Sequence, residues 1–132
     1  MVSRYSGKVV SWDVENENLH FNLFESILGG EITNTLFKLT RDIDPKAVVF
    51  MNEYNTIEDI GDSVASPSNY VQNLRQIQGA LGVGSVVGIG LQGHFGNPDL
   101  AYVRSALDTL AATKMPIWIS ELDVKPGPNQ VL

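Results

Sequence analysis

The sequence predicts an α/β protein whose parallel β-sheet is covered by helices. Three observations carry that expectation. Four runs are continuously apolar and rich in β-branched residues, as strands buried on both faces are. The stretches between them space their apolar residues at helical intervals. The two kinds alternate in the order β-α-β-α-β-α-β, which gives a parallel sheet with helices packed on it. The chain has 132 residues, 43% hydrophobic and 18% charged. That is enough for one domain with a real core and too short for two.

The first strand is expected over residues 7–14 (GKVVSWDV), and a short helical turn over 21–30, closed by Gly29 and Gly30. Ile32, Leu36, Leu39 and Ile43 recur at helical spacing, and the Asp44-Pro45 pair ends that helix. Residues 47–52 (AVVFMN) form the second strand. Ser66 and Pro67 read as N-cap and first residue of the next helix, with Val71, Leu74, Ile77 and Leu81 inward. The third strand is 86–95, its glycines marking close approach. Asn97 and Pro98 repeat the cap-plus-proline start before the stripe Leu100, Val103, Leu107, Leu110. Residues 115–124 form the fourth strand, with Trp12 and Trp118 placed in the core, and 125–132 an exposed tail.

Composition excludes several functions. A net charge of −6, with nine scattered Lys and Arg, argues against a nucleic-acid partner. Without cysteine there is no disulfide, thiolate zinc site or thiol catalysis. No apolar run is long enough to span a membrane, and residues 1–8 lack a signal-peptide core. Residues 79–90 (GALGVGSVVGIG) follow a helix, lack G-x-G-x-x-G spacing and carry no lysine, so no nucleotide cofactor is expected. His20 and His94 share no metal-ligand spacing with the carboxylates, and no metal or other cofactor is expected.

Each strand ends in residues that packing alone does not call for: Asn16 and Glu17, then Asn52 to Asn55, then Gln92 and His94, then Glu121 and Asp123. In parallel α/β folds ligands bind at the carboxyl ends of the strands. Strand alternation puts Ile117, Ile119, Glu121 and Asp123 on one side, and turns Trp118 and Ser120 toward the helices. The same rule puts Asp13, Glu15 and Glu17 on one side. Two carboxylates facing one bond serve as acid and nucleophile, or acid and base, in glycoside hydrolysis. Asparagine and glutamine, being donor and acceptor at once, suit sugar hydroxyls. On pattern alone, Glu17 and Glu121 read equally well as exposed loop carboxylates, His94 and His20 as structural histidines, and Tyr54 as a wall residue.

The segments GKVVSWDVENE, FMNEYNT, GIGLQGHF and PIWISELDV resemble, in order and spacing, the family 10 glycoside hydrolases, with ENLHF and MNEYNTIED closest to the plant branch. The resemblance implies part of a (β/α)8 barrel, a retaining endo-1,4-β-xylanase activity and xylan or a related β-1,4-linked polysaccharide as partner. By position, Glu17 matches the general acid/base and Glu121 the nucleophile. Asn16 matches the residue that bonds the 2-hydroxyl of the cleaved sugar, and Gln92 and His94 the pair beside the nucleophile. Asp123 matches the acid that partners that histidine, and Tyr54 lies in the motif lining the leaving-group side. The family's full-length members imply an extracellular or cell-wall location.

Two departures stand out. Glu15 occupies a position where valine is usual; alternation makes it a third inward carboxylate, unless a bulge turns it elsewhere. Residues 1–132 correspond to about the fourth to seventh strands of a barrel that needs about 250 residues. Both sheet edges are then open, and self-association through them is expected. An alternative is a catalytically incompetent remnant with weak polysaccharide binding. Another is an open α/β module, which a reversal of strand order would reveal.

Overall fold

The computed structural model describes residues 1–82 and 84–126. A short helix α1 (Val2–Tyr5) precedes strand β1 (Ser11–Asn16). Helices α2 (Leu23–Leu28) and α3 (Glu31–Ile43) lead to β2 (Val48–Glu53). Helix α4 (Pro67–Leu81), strand β3 (Val87–Phe95), helix α5 (Leu100–Ala111) and strand β4 (Ile117–Val124) complete the order. All strand pairs are parallel and the sheet order is β1-β2-β3-β4. The order never reverses, as in an arc of a (β/α) barrel and unlike an open doubly wound sheet. The part of the expected tail at 127–132 lies outside the described residues.

The core lies between the sheet and the helices. Val49, Met51, Val87, Ile89 and Leu91 point into it from β2 and β3, and Phe37, Leu74, Ile77 and Leu110 meet them from α3, α4 and α5. Helix α4 starts as expected, with the Ser66 hydroxyl accepting from the Asn69 N–H and Pro67 in the first turn. Its stripe Val71, Leu74, Ile77, Leu81 is buried, together with Tyr70. The Tyr70 hydroxyl reaches the main-chain carbonyls of Met51 and Gly90, tying the helix to two strands.

Several expectations are corrected. Strand β1 begins at Ser11, with Val9 and Val10 exposed before it. Helix α3 buries Phe37 and Thr40, while Leu39 faces solvent, so its inward face is rotated from the expected stripe. Helix α5 is capped by Asp99 rather than Asn97: the Asp99 carboxylate accepts from the N–H groups of Ala101 and Tyr102. Leu100 is exposed, and Ala106 joins Leu110 as the buried pair. Trp12 is half-buried, held by an Nε1–H bond to Asp44 at 3.0 Å. Trp118 is 47% exposed on β4.

Candidate active site

Two irregularities in the sheet decide which side chains meet. Between β1 and β2 the register shifts so that Asp13 pairs with Phe50 but Glu15 pairs with Met51. Met51 points to the helices, so Val14 is the extra residue and Glu15 turns to the helix face. Alternation fails here, and Glu15 leaves the row of Asp13 and Glu17. Asn16 pairs with Asn52 on the inner face. Glu17 follows with φ 59° and anchors its N–H on the Asn52 carbonyl at 2.9 Å. The left-handed backbone is uncommon for a glutamate and turns its carboxylate back over the strand end.

Between β3 and β4, Leu91 pairs with Ile119 and Gln92 with Glu121. Ser120 is therefore the bulged residue. Ile117 packs with the helix-side core, whereas Trp118 packs on Phe50 at 5.0 Å between ring centroids and Ser120 bonds Asn52. Trp118 and Ser120 face the inner side, opposite to the strand-alternation expectation, and the bulge lets Glu121 follow Ser120 onto the same face.

Two sets of hydrogen bonds, joined by one ion contact, then link the strand ends. Asn52 donates from Nδ2 to Asn16 Oδ1 at 2.7 Å and reaches Glu121 Oε1 at 3.4 Å, and its Oδ1 accepts from Ser120 Oγ at 2.5 Å. Gln92 donates from Nε2 to Glu17 Oε1 at 2.8 Å and accepts on Oε1 from His94 Nε2 at 3.0 Å. His94 Nδ1 meets Asp123, and Nε2 stands 3.6 Å from Glu121 Oε2. Since Gln92 Oε1 and Asp123 both only accept, both ring nitrogens of His94 carry protons. The hydrogen bond to Asp123, with the charges of Asp123, Glu121 and Glu58, outweighs desolvation and raises the His94 pKa. Glu17, Glu121, Asn16, Gln92, His94 and Asp123 thus occupy one connected group. Burial first, then the charge of Glu121, raises Asp13 on the same face.

Asn52, which the sequence marked only as a polar strand end without a role, lies at the centre of the group. It is 1% exposed and touches Asn16, Ser120 and Glu121, three of the site's side chains. Gly90 makes room for it: a Cβ there would lie 2.7 Å from Asn52 Oδ1 and 3.0 Å from the Met51 carbonyl. Reading β2 and β3 side by side, an asparagine on a buried strand opposite a glycine was the available signal.

A second cluster sits beside the first. His20 bonds Glu53 Oε1 through Nδ1 and Asp62 Oδ2 through Nε2, each at 2.8 Å, and stacks on Tyr54 at 4.1 Å. When both carboxylates are ionised, both ring nitrogens donate. Burial lowers the His20 pKa, but the two carboxylates outweigh it and the net shift is upward. Burial raises Glu53 despite bonds from His20 and the N–H groups of Tyr54 and Leu19. Burial also acts upward on Asp62, but its bonds from Asn55, His20 and the Ala65 and Val64 N–H groups hold it at about 2. Tyr54 is thus fixed by stacking on His20, and does not touch the Glu17–Glu121 group directly through any hydrogen bond among the described residues. Also among those residues, no three His, Cys, Asp or Glu converge as metal ligands, and no helix is long and apolar enough to cross a membrane.

Comparison with known proteins places these features. Residues 1–131 match the family model described as glycosyl hydrolase family 10. The chain is 43% identical over 134 residues to endo-1,4-beta-xylanase 4 of Arabidopsis thaliana, covering 99% of this chain and 24% of that protein. It is 44% identical over 133 residues to endo-1,4-beta-xylanase 5-like of the same plant, covering 98% and 23%. The crystal structure of xylanase XynB from Paenibacillus barcinonensis, complexed with a conduramine derivative, superposes with a TM-score of 0.76 at 28% identity, over 93% of this chain and 38% of that one. The chain thus spans about a quarter of these plant relatives and under half of the solved barrel. A family match over almost every residue, with the strand-end motifs in register on four parallel strands, means that the chain belongs to glycosyl hydrolase family 10.

Proposed function

We propose that residues 1–132 carry the catalytic pair of a retaining endo-1,4-β-xylanase acting on xylan, and correspond to about the fourth to seventh strands of its barrel. The observation that carries this reading is the pair of hydrogen bonds linking Glu17 through Gln92 to His94, whose Nε2 stands 3.6 Å from the Glu121 carboxylate. In the proposed reaction Glu121 attacks the anomeric carbon while Glu17 gives its proton to the leaving oxygen. The resulting glycosyl-enzyme is opened by water, whose proton Glu17 takes.

The remaining residues follow from their bonds. Asn16 Oδ1 is occupied by Asn52, so its Nδ2 donates to the substrate's 2-hydroxyl. Gln92 aims one Glu17 oxygen, leaving the other for the leaving group. His94, charged and held by Asp123, sets a positive group beside the nucleophile. Tyr54, braced by His20, offers a ring face on the leaving-group side.

A second reading is polysaccharide binding without turnover. Incubation with xylan separates the two. Reducing ends that accumulate in the wild type and disappear in Glu121→Gln support catalysis, and retained anomeric configuration of the first-formed product by proton NMR supports the covalent route. Inverted product, or turnover that survives Glu121→Gln, rules out the assigned nucleophile. Retardation in xylan-containing gels without product identifies binding alone.

A further inference from the structure

Glu15 has no charge partner. It is 5% exposed and turned behind β1, away from the Glu17–Glu121 group. One of its oxygens accepts from Asn18 Nδ2 at 3.3 Å, and the other, Oε1, has no partner. Beside it stand Thr33 of α3 and Glu25 of α2. The Thr33 hydroxyl bonds Glu25 Oε1, so its proton is engaged there and Glu15 Oε1 stays without a partner.

The pattern of unmet acceptors is specific to this spot. Among the described residues, the buried side-chain polar atoms without a partner are Glu15 Oε1, Asn18 Oδ1, Glu25 Oε2 and Thr56 Oγ1. The first three belong to this one cluster, and all three only accept. No described lysine, arginine or histidine pairs with Glu15 or Glu25. A cleft of about 360 Å³ is lined in part by Asn18, Glu25 and Thr33, the neighbours of Glu15, and has no basic residue in its walls. All its walls come from the β1–α2 turn, α2, α3, α4 and the residues beside them, well inside the chain.

We propose that Glu15, Asn18, Glu25 and Thr33 form a site for a hard divalent cation, Ca²⁺ by the chemistry of its donors, that staples β1 and α2 to α3. Every donor is oxygen: two carboxylates, an amide and a hydroxyl. Nitrogen and sulfur ligands, which select the later transition metals, are absent from the set. Ca²⁺ accepts six to eight oxygens in irregular arrangements, whereas Mg²⁺ demands a near-ideal octahedron and keeps its waters. The cleft has space for waters to complete the shell, at roughly 30 Å³ each. A shared proton is the competing occupant, but it satisfies one of the three oxygens and a cation satisfies all of them. Burying two carboxylates uncompensated is otherwise strongly unfavourable. The site does not depend on the xylanase reading, since no residue is common to the two.

The test is calorimetric titration of the chelator-treated 132-residue chain with CaCl₂ at pH 7, with MgCl₂ in parallel. One Ca²⁺ per chain is expected, with Kd on the order of 10⁻⁴–10⁻³ M, the range of two-carboxylate extracellular-type sites, and weaker Mg²⁺ binding. Glu15→Gln and Glu25→Gln are each expected to weaken binding by about tenfold or more. The two residues lie on different elements, so one variant that fails to fold leaves the other informative. Absence of saturable binding up to about 10 mM Ca²⁺, tenfold above that range, overturns the site. So does binding unchanged in either folded variant, or a Glu15 carboxyl carbon whose NMR shift stays that of the neutral acid with Ca²⁺ present.

Discussion

At the scale of single residues, Asn52 and His20 hold the rim of the sheet together. Asn52 is buried and its amide serves Asn16, Glu121 and Ser120 at once. Asn52→Ala is expected to cost roughly 1–3 kcal/mol in urea unfolding, because the partners lose bonds they cannot replace. His20 makes a pH-dependent contribution. Its folded pKa lies above the ordinary 6.5, so its stabilisation is complete below pH 6.5 and is lost as pH rises through the folded value. Asp62, held at about 2, acts oppositely, contributing above 3.8 and failing as pH falls toward 2. Glu53, raised by burial, withdraws its share as pH climbs from 4.5 through its folded value. His20→Gln is expected to flatten the alkaline loss of stability and leave the acid side in place, as read by Tm against pH. The sequence named Glu17, Glu121, Asn16, Gln92, His94 and Asp123 as candidates through their motifs, and the structure brings these side chains together at the strand ends. The sequence marked Asn52 as a polar strand end and His20 as structural without giving either its partners, because those lie on other strands and loops, which one-dimensional spacing does not reveal.

At the scale of elements, caps and bulges set where the side chains go. Helix α5 is capped by Asp99, so Asp99→Ala is expected to cost about 1 kcal/mol, and Asn97→Ala to stay within about 0.5 kcal/mol; equal losses in thermal unfolding would return the cap to Asn97. On β3, Gly90→Ala places a methyl against Asn52 Oδ1 and the Met51 carbonyl. Overpacking of that kind costs about 1–3 kcal/mol, and a displaced Asn52 also loosens Glu121. Strand and helix order was readable from the sequence because apolar period and proline or glycine punctuation are local. The bulge at Ser120 was not, and the one beside Glu15 stood only as an alternative, since a bulge is defined by the partner strand. That is why alternation misplaced Glu15, Trp118 and Ser120 while still putting Glu121 on the inner face. The Leu39 stripe failed for a related reason: spacing gives a helix an apolar face, but the sheet and α4 decide which arc of it is covered.

At the scale of the whole molecule, β1 and β4 each have one hydrogen-bonded neighbour in the described sheet, and their outer edges are unpaired. On β4 the apolar side chains are uncovered as well, with Trp118 47% and Leu122 66% exposed, and Phe21, Leu23, Phe24, Ile27 and Leu28 form a second exposed group around α2. Unpaired strand edges with apolar flanks recruit other chains. The net charge of −6 opposes contact between copies. That repulsion reaches about 30 Å at 0.01 M salt and about 3 Å at 1 M. The two effects scale differently: edge pairing is short-range and indifferent to salt, and charge repulsion is not. The 132-residue chain is therefore expected to sediment more slowly in dilute buffer than at high salt, with a weight-average coefficient that climbs with concentration. Leu122→Lys puts a charge on the exposed β4 edge and is expected to restore the slow species at every salt concentration, the usual effect of an edge lysine. A chain that stays monomeric at high salt and high concentration, with or without that lysine, would mean that the unpaired edges do not recruit other copies.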